Sequence, residues 1–265
     1  MLERVEQLIS QSVANLLDLN GQHFLVTGAS SGIGQAVAWL FDSLGARLTL
    51  VDLNRAGLEE TVARCARNDH RLFEFDLRRV EEVDTLVKDA VAGAGALYGF
   101  VHCAGIQAVM PARVLTVAAW REIFAVNTES GLAVAKSFSS KRVRAGNGGS
   151  IVFISSAMGL AGSPGATAYS MSKSALHGVA RSLAIEFAAC RIRVNCIAPG
   201  FVRTPMFERT EKLWDDVQRA AVEAQHPLGF GTPNDIANAV AFLCADTGRW
   251  ITGTVMVVDG GYLAQ

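Results

Sequence analysis

At 265 residues the chain is long enough to bury the core of a full α/β domain. Half of its residues are hydrophobic and 18% are charged, which excludes a disordered or fibrous protein. A formal net charge of −1 gives no electrostatic ground for nucleic acid or an anionic membrane as partner.

The chain opens on "MLERVEQLISQSVANLLDL", in which Leu2, Val5, Ile9, Val13 and Leu16 recur at helical spacing. That spacing predicts a helical extension over residues 1–17, packed on the body of the protein or on a partner subunit. Glu3 and Glu6 make it a poor secretory signal, and no apolar run in the chain reaches the roughly 18 residues that cross a bilayer. The five cysteines (Cys65, Cys103, Cys190, Cys196 and Cys244) form no C-x-x-C pair. Neither a disulfide framework nor a structural zinc site is expected, and the expected location is the reducing cytoplasm.

Residues 18–265 read as one unit. Short runs rich in β-branched residues alternate with segments of helical period: "HFLVT" (23–27), "RLTLVD" (47–52), "RLFEFD" (71–76), "YGFVHCAG" (98–105), "SIVFIS" (150–155), "IRVNCIA" (192–198) and "TVMVVDGG" (254–261). Strands apolar along nearly their whole length must be covered on both faces, which predicts a parallel sheet doubly wound by helices. The wide gap after residue 199 mixes aromatics with charges, and a lid is expected over about 201–230.

The first strand runs into "TGASSGIGQAVAWLF", where Gly28, Gly32 and Gly34 precede a helix. Gly28 permits a tight turn, Gly32 lets a pyrophosphate approach the backbone, and Gly34 lets the helix pack close to the sheet. The helix start then offers free N–H groups to phosphates. Asp52 ends the second strand, placed to accept hydrogen bonds from ribose hydroxyls. It would repel a 2′-phosphate by roughly 4 kcal/mol at ~4 Å and an effective dielectric near 20. NAD is therefore expected over NADP, with Arg55 the one nearby cation that speaks for the latter. Asp76 is a candidate for the adenine amino group or, more plainly, a cap for the helix that starts near Val80.

In "ATAYSMSKSAL", Tyr169 stands one helical turn before Lys173, so the two share a helix face. A phenol holds its proton to about pH 10, and a neighbouring cation together with an oxidised nicotinamide favours the phenolate. Ser156 closes a parallel strand, where ligands of open α/β sheets collect. Asn127, in "FAVNTESG", is placed to break a helix and order a water leading to Lys173.

This combination resembles the short-chain dehydrogenase/reductase family: T-G-x-x-x-G-I-G at 27–34, C-A-G at 103–105, Asn127, Ser156, Y-S-M-S-K at 169–173, P-G at 199–200 and V-D-G-G at 258–261, all in order. The resemblance implies a single-domain Rossmann fold with a seven-stranded sheet, and a catalytic set of Asn127, Ser156, Tyr169 and Lys173. In that set Tyr169 is the general acid/base, Ser156 orients the substrate oxygen, Lys173 binds the nicotinamide ribose, and Asn127 holds a relay water. The cofactor residues it implies are Gly28, Ser30, Ser31, Gly32, Ile33, Gly34, Asp52, Leu53, Asp76, Leu77, Cys103, Ala104, Gly105, Tyr169, Lys173, Pro199, Gly200, Val202 and Thr204. It also implies a homotetramer or homodimer.

Two departures stand out. The family usually has Asn-Asn-Ala-Gly where this chain has His102-Cys103-Ala104-Gly105, which puts local rigidity in question, and the family core does not need the leader. His102 reads as a packed strand-end residue, and Glu129 as a substrate contact or a solvated charge. His177 and His226 lack partners at metal-ligand spacing, so no metal is assigned.

The expected activity is the interconversion of a secondary alcohol and a ketone, on a substrate suited to a pocket lined by Phe201, Met206, Phe207, Trp214 and the loop 158–165. One alternative is a 3-oxoacyl-(acyl-carrier-protein) reductase using NADPH, with Arg121, Lys141, Arg142 and Arg144 as a patch for the acidic carrier. Another is a Rossmann protein that senses the dinucleotide without catalysis. An enoyl reductase fits less well, because those relatives set tyrosine and lysine further apart.

Overall fold

The computed structural model describes residues 16–146, 148–212 and 214–264. The helical extension expected over 1–17 lies almost wholly outside the described residues.

Seven strands form from the predicted apolar runs: β1 (His23–Thr27), β2 (Arg47–Asp52), β3 (Arg71–Glu74), β4 (Gly99–His102), β5 (Gly149–Ile154), β6 (Ile192–Pro199) and β7 (Val255–Val258). They make one sheet in the order β3-β2-β1-β4-β5-β6-β7, and every pairing is parallel. The helices are α1 (Gly32–Ser43), α2 (Arg55–Val62), α3 (Val83–Val91), α4 (Val117–Phe124), α5 (Ser130–Phe138), α6 (Thr167–Glu186), α7 (Pro205–Glu211), α8 (Asp216–Ala224) and α9 (Pro233–Cys244). This is the doubly wound Rossmann arrangement that the strand pattern predicts.

The period-two alternation of a strand splits the core into two layers. Phe24 and Val26 of β1 face one side, where they join Val37 and Phe41 of α1 and Val240 of α9. Leu25 faces the other, with Leu86 of α3, Phe138 of α5 and Leu176 of α6. Phe100 of β4 anchors that second layer through edge-on contacts to Phe138 and Phe153, with ring centroids 5.9 and 5.7 Å apart. Strand order reverses between β1 and β4, so the loops after these strands diverge and leave a crevice at their carboxyl ends.

Three predicted strands run shorter than the stretches that predicted them, the last of them β7, which spans only Val255–Val258 of 254–261. β3 stops at Glu74, so Phe75 and Asp76 lie in the following turn, and β4 stops at His102, freeing Cys103–Gly105 to border the crevice. Among the described residues no helix is long and apolar enough to cross a membrane.

Candidate active site

The crevice is a cavity of about 450 Å³. Every cofactor residue expected above lines it, from Gly28 in the first turn to Thr204 before α7, together with Ser156, Tyr169 and Lys173. Asn127 alone stands behind the wall.

Its floor is the glycine turn, stripped of side chains by steric necessity. A Cβ on Gly34 would meet the Gly28 carbonyl oxygen at 2.1 Å, and one on Gly28 would meet the Ala104 backbone at 2.7 Å. Gly28 and Gly32 both take positive φ (67° and 55°), and the Gly28 N–H donates to Val51 O at 2.8 Å. The bare backbone and the start of α1 fit the diphosphate of a dinucleotide.

Asp52 holds this floor in shape. Its Oδ2 accepts from Ser30 N at 3.1 Å and its Oδ1 from Asn54 N at 3.0 Å, while the residue itself lines the cavity. Arg55 is turned to Glu59, with Nε 2.8 Å from Oε1, and does not line the cavity. Asp76 caps no helix. Arg78 occupies both of its oxygens and also reaches Glu122 at 3.0 Å, and hydrogen bonds from Arg78 hold the Asp76 carboxyl below its usual range.

Tyr169 and Lys173 lie in the first turns of α6, both buried, and Ser156 faces them from the end of β5. The lysine ammonium makes no hydrogen bond to the phenol: Nζ lies over the Tyr169 ring, 5.7 Å from its centroid, and donates to Ile154 O at 2.8 Å. Burial raises the phenol pKa above its ordinary value, with a Ser156 hydrogen bond opposing, so in the free protein the phenol is harder to ionise than the sequence suggested. Burial likewise pushes the Lys173 pKa down to about 8.

Asn127 sits in a π-helical turn, Ala125–Glu129, between α4 and α5, as a helix-breaking role requires. Its Oδ1 accepts from Ile106 N at 2.8 Å, and its Nδ2 donates to Ile106 O and to Ser172 Oγ, each at 3.0 Å. Ser172 Oγ in turn donates to Tyr169 O at 2.7 Å. The asparagine thus ties the loop after β4 to the helix that carries the tyrosine.

The rigidity put in question by Cys103 is supplied by its neighbour. His102 is fully buried at the end of β4, its Nδ1 2.9 Å from Thr27 Oγ1 and its Nε2 3.2 Å from Val126 O. Thr27 Oγ1 also accepts from Ala104 N at 3.3 Å. Burial, followed by the Lys173 charge, pushes the His102 pKa down to about 3, so the ring is a neutral strut.

Other histidines also have partners that spacing did not reveal. His177 Nε2 lies 2.6 Å from Ser155 Oγ, and His226 bonds Phe201 N and Val222 O while stacking on Tyr262 at 4.8 Å. Asp42, Cys65 and His70 cluster on the far side of α1, but Leu48 N donates to His70 Nδ1 at 3.1 Å, leaving the Nε2 proton directed at Asp42. That proton makes the cluster a structural lock.

Over the cavity, α7 contributes Met206, Phe207, Arg209 and Thr210. Phe201 lines it as expected, whereas Trp214 packs behind, 5.8 Å from both Phe201 and Phe207. Of the loop 158–165 only Met158 reaches it. Ile106, Gln107, Arg78, Arg209 and Tyr262 line it without having been expected. Tyr262 arrives from the C-terminal tail, a juxtaposition without local signature.

The chain belongs to the short-chain dehydrogenase/reductase family, and it is an oxidoreductase: residues 28–263 match the family described as enoyl-(acyl carrier protein) reductase. It is 36% identical over 245 residues to cis-4-hydroxycyclohexanecarboxylate dehydrogenase of Sinomonas cyclohexanicum, covering 91% of this chain and 96% of that protein. It is 34% identical over 249 residues to the 3-oxoacyl-[acyl-carrier-protein] reductase FabG of Rickettsia felis, covering 94% and 99%. Among solved structures it resembles a putative NAD(P) dependent gluconate 5-dehydrogenase from Beutenbergia cavernae with bound NADP, at TM-score 0.88 and 31% identity, covering 95% of this chain and 100% of that one.

Proposed function

We propose that this enzyme interconverts a secondary alcohol and a ketone with Tyr169 as general acid/base and NAD as the favoured cofactor. The observation that carries this is the convergence of the Tyr169 phenol, the Ser156 hydroxyl and the bare glycine turn on one cavity. When bound, the nicotinamide accepts or supplies the hydride. In the oxidative direction Ser156 Oγ hydrogen-bonds the substrate oxygen, and the Tyr169 phenolate takes its proton as the carbon gives up hydride. Lys173 remains an ammonium below about pH 8 and contributes the positive field that opposes the effect of burial on the phenol. Asn127 has spent both Nδ2 hydrogens on Ile106 and Ser172, so it acts by positioning. A relay water falls to its backbone carbonyl and remaining Oδ1 lone pair.

Preference for NAD is supported by the Asp52 carboxylate on the cavity wall and by the engagement of Arg55 with Glu59. Gly28, Ser30, Ser31, Gly32, Ile33 and Gly34 would hold the diphosphate, Asp52 and Leu53 the adenosine ribose, and Asp76 and Leu77 the adenine. Cys103, Ala104 and Gly105 would border the nicotinamide half, with Pro199, Gly200, Val202 and Thr204 at its carboxamide.

The relatives support a substrate panel of alicyclic hydroxy acids, sugar alcohols and β-hydroxyacyl thioesters. Reduction of NAD by a member of that panel, abolished in Tyr169→Phe, is the expected result. No turnover across the panel, or full activity in the variant, would refute the mechanism.

The second reading, a 3-oxoacyl-(acyl-carrier-protein) reductase, draws on the FabG relative. Its basic patch is thinned, because Arg144 is buried and bonded to Gly146 O, leaving Arg121, Lys141 and Arg142 exposed. Binding of carrier protein together with NADPH-dependent turnover would favour it. The step of four between Tyr169 and Lys173 keeps either reading apart from enoyl reduction. A dinucleotide sensor without catalysis would bind NADH and turn over nothing.

We further propose a homotetramer or homodimer in the cytoplasm. The apolar Val114, Val117 and Trp120 before and within α4, Leu132 on α5 and Val257 on β7 are exposed in the single chain, as buried subunit contacts would be. Sedimentation of a monomer alone would remove this idea. Residues 18–265 are read as one catalytic domain whose lid spans about 201–230.

A further inference from the structure

Three cationic side chains line the cavity: Arg78, Lys173 and Arg209. Arg78 is committed to Asp76 at 2.7 Å and Glu122 at 3.0 Å, and Lys173 to the Ile154 carbonyl at 2.8 Å. The Arg209 side chain makes no hydrogen bond or ion pair with any other described residue. Its charge is available to a ligand, and its place on α7 indicates which one. A Cβ on Gly32 would meet Thr204 Cγ2 at 3.2 Å and Pro205 Cδ at 3.8 Å, so α7 starts directly over the glycine turn. Positions i and i+4 share a helix face, which puts Arg209 on the face that Pro205 turns toward the phosphate cradle. Met206 and Thr210, joined by a 3.3 Å bond from Thr210 Oγ1 to Met206 O, form the neighbouring stripe of the cavity wall. The turn from 28 to 34 contains no lysine or arginine, so it meets a diphosphate with N–H groups and a helix end alone.

We propose that Arg209 is a cationic clamp for the dinucleotide pyrophosphate. This rests on the dinucleotide-dependent function proposed above. A guanidinium pairs with phosphate oxygens through several N–H donors at once, which suits a group that must close from the side opposite the backbone cradle. Met206 and Phe207 lie on the same helix, so the clamp stands beside the apolar wall of the cavity.

The test is calorimetric binding of NADH, ADP and adenosine to the wild type, Arg209→Gln and Arg209→Lys. Expected in Arg209→Gln is a loss of roughly tenfold or more in affinity for NADH and ADP, with adenosine unchanged, and with a gap to the wild type that narrows as salt rises. Arg209→Lys should recover most of the loss. Unchanged adenosine binding also certifies that the variant is folded. Equal affinity of wild type and Arg209→Gln for ADP and NADH overturns the clamp. A rise confined to the KM of an anionic substrate overturns it too, by assigning the charge to that substrate. A wild type that binds adenosine, ADP and NADH not at all brings down the functional proposal itself, and the clamp with it.

Discussion

Lys173 Nζ and Ile154 O are joined at 2.8 Å, so the buried ammonium is held by the end of a central strand, and it lies over the ring of its helix neighbour Tyr169, 5.7 Å from the centroid, without hydrogen-bonding it. Under the proposed mechanism the lysine therefore acts on the phenol without a hydrogen bond to it. It carries a stability cost of its own, because its folded pKa, about 8, lies below the unfolded value of 10.5. The sign follows: the charged form is penalised in the fold, fully so below about pH 8, and the penalty disappears as pH rises through 10.5. Relative to Lys173→Met, the wild type should gain about 3 kcal/mol between those limits, a difference that cancels the titration of the cysteines. Denaturant midpoints of both proteins from pH 7 to 10.5 measure it, and parallel curves would count against a buried ammonium.

The phenol of Tyr169 is raised by burial in the free protein. The proposed mechanism requires the oxidised cofactor to reverse that near neutral pH. Ultraviolet difference titration, with Tyr169→Phe subtracted to remove the other two tyrosines, should show the phenol ionising above pH 10 alone and at least one unit lower with NAD bound. An unmoved titration would leave Tyr169 without its activating field.

Asn127 satisfies both backbone groups of Ile106 and the Ser172 hydroxyl. Asn127→Ala should cost about 2–3 kcal/mol, since buried polar groups lose partners. It should also lower kcat more than it raises the Kd for NADH. A variant of wild-type stability would show that the loop is held elsewhere.

His102 and Gly131 are fitted to each other. A Cβ at 131 would meet the imidazole Cδ2 at 2.9 Å. Gly131→Ala should lose about 1–3 kcal/mol through overpacking, and the double variant His102→Ala/Gly131→Ala should lose less than the sum of the singles. Additive losses in chemical denaturation would mean that the methyl and the ring do not meet.

Asp52 lines the cavity, and Arg55, the nearest cation in sequence, pairs with Glu59 instead. Replacing Asp52 by Ser together with Glu59 by Gln should tighten NADPH binding at least tenfold relative to NADH, as expected from removing a charge repulsion of about 1–4 kcal/mol. Fluorescence titration of both nucleotides reads this, and an unchanged ratio would place the 2′ determinant elsewhere.

Seven strands, their parallel pairing and the glycine turn were legible in the chain because each depends on local pattern. Apolar runs such as "RLTLVD" must be buried on both faces, and only a backbone without side chains makes the turn at Gly28 and Gly34. Tyr169 and Lys173 were legible for the same reason, since one helical turn relates them whatever the surroundings. Contacts made across the fold were hidden. Nothing near His102 in sequence announces Thr27 or Val126, and nothing near Tyr262 announces Phe201 or His226, because those partners meet only when separate strands and loops converge.

Local periodicity and backbone sterics are properties of neighbouring residues, so the chain by itself determined the layered sheet, the phosphate turn and the phenol–ammonium pair. Burial and directional bonding depend on what arrives from elsewhere. Only the tertiary structure therefore decided that the phenol's pKa rises before cofactor binds, that Asn127 supports the wall from behind, and that Arg209 alone among the lining cations is left without a partner among the described residues.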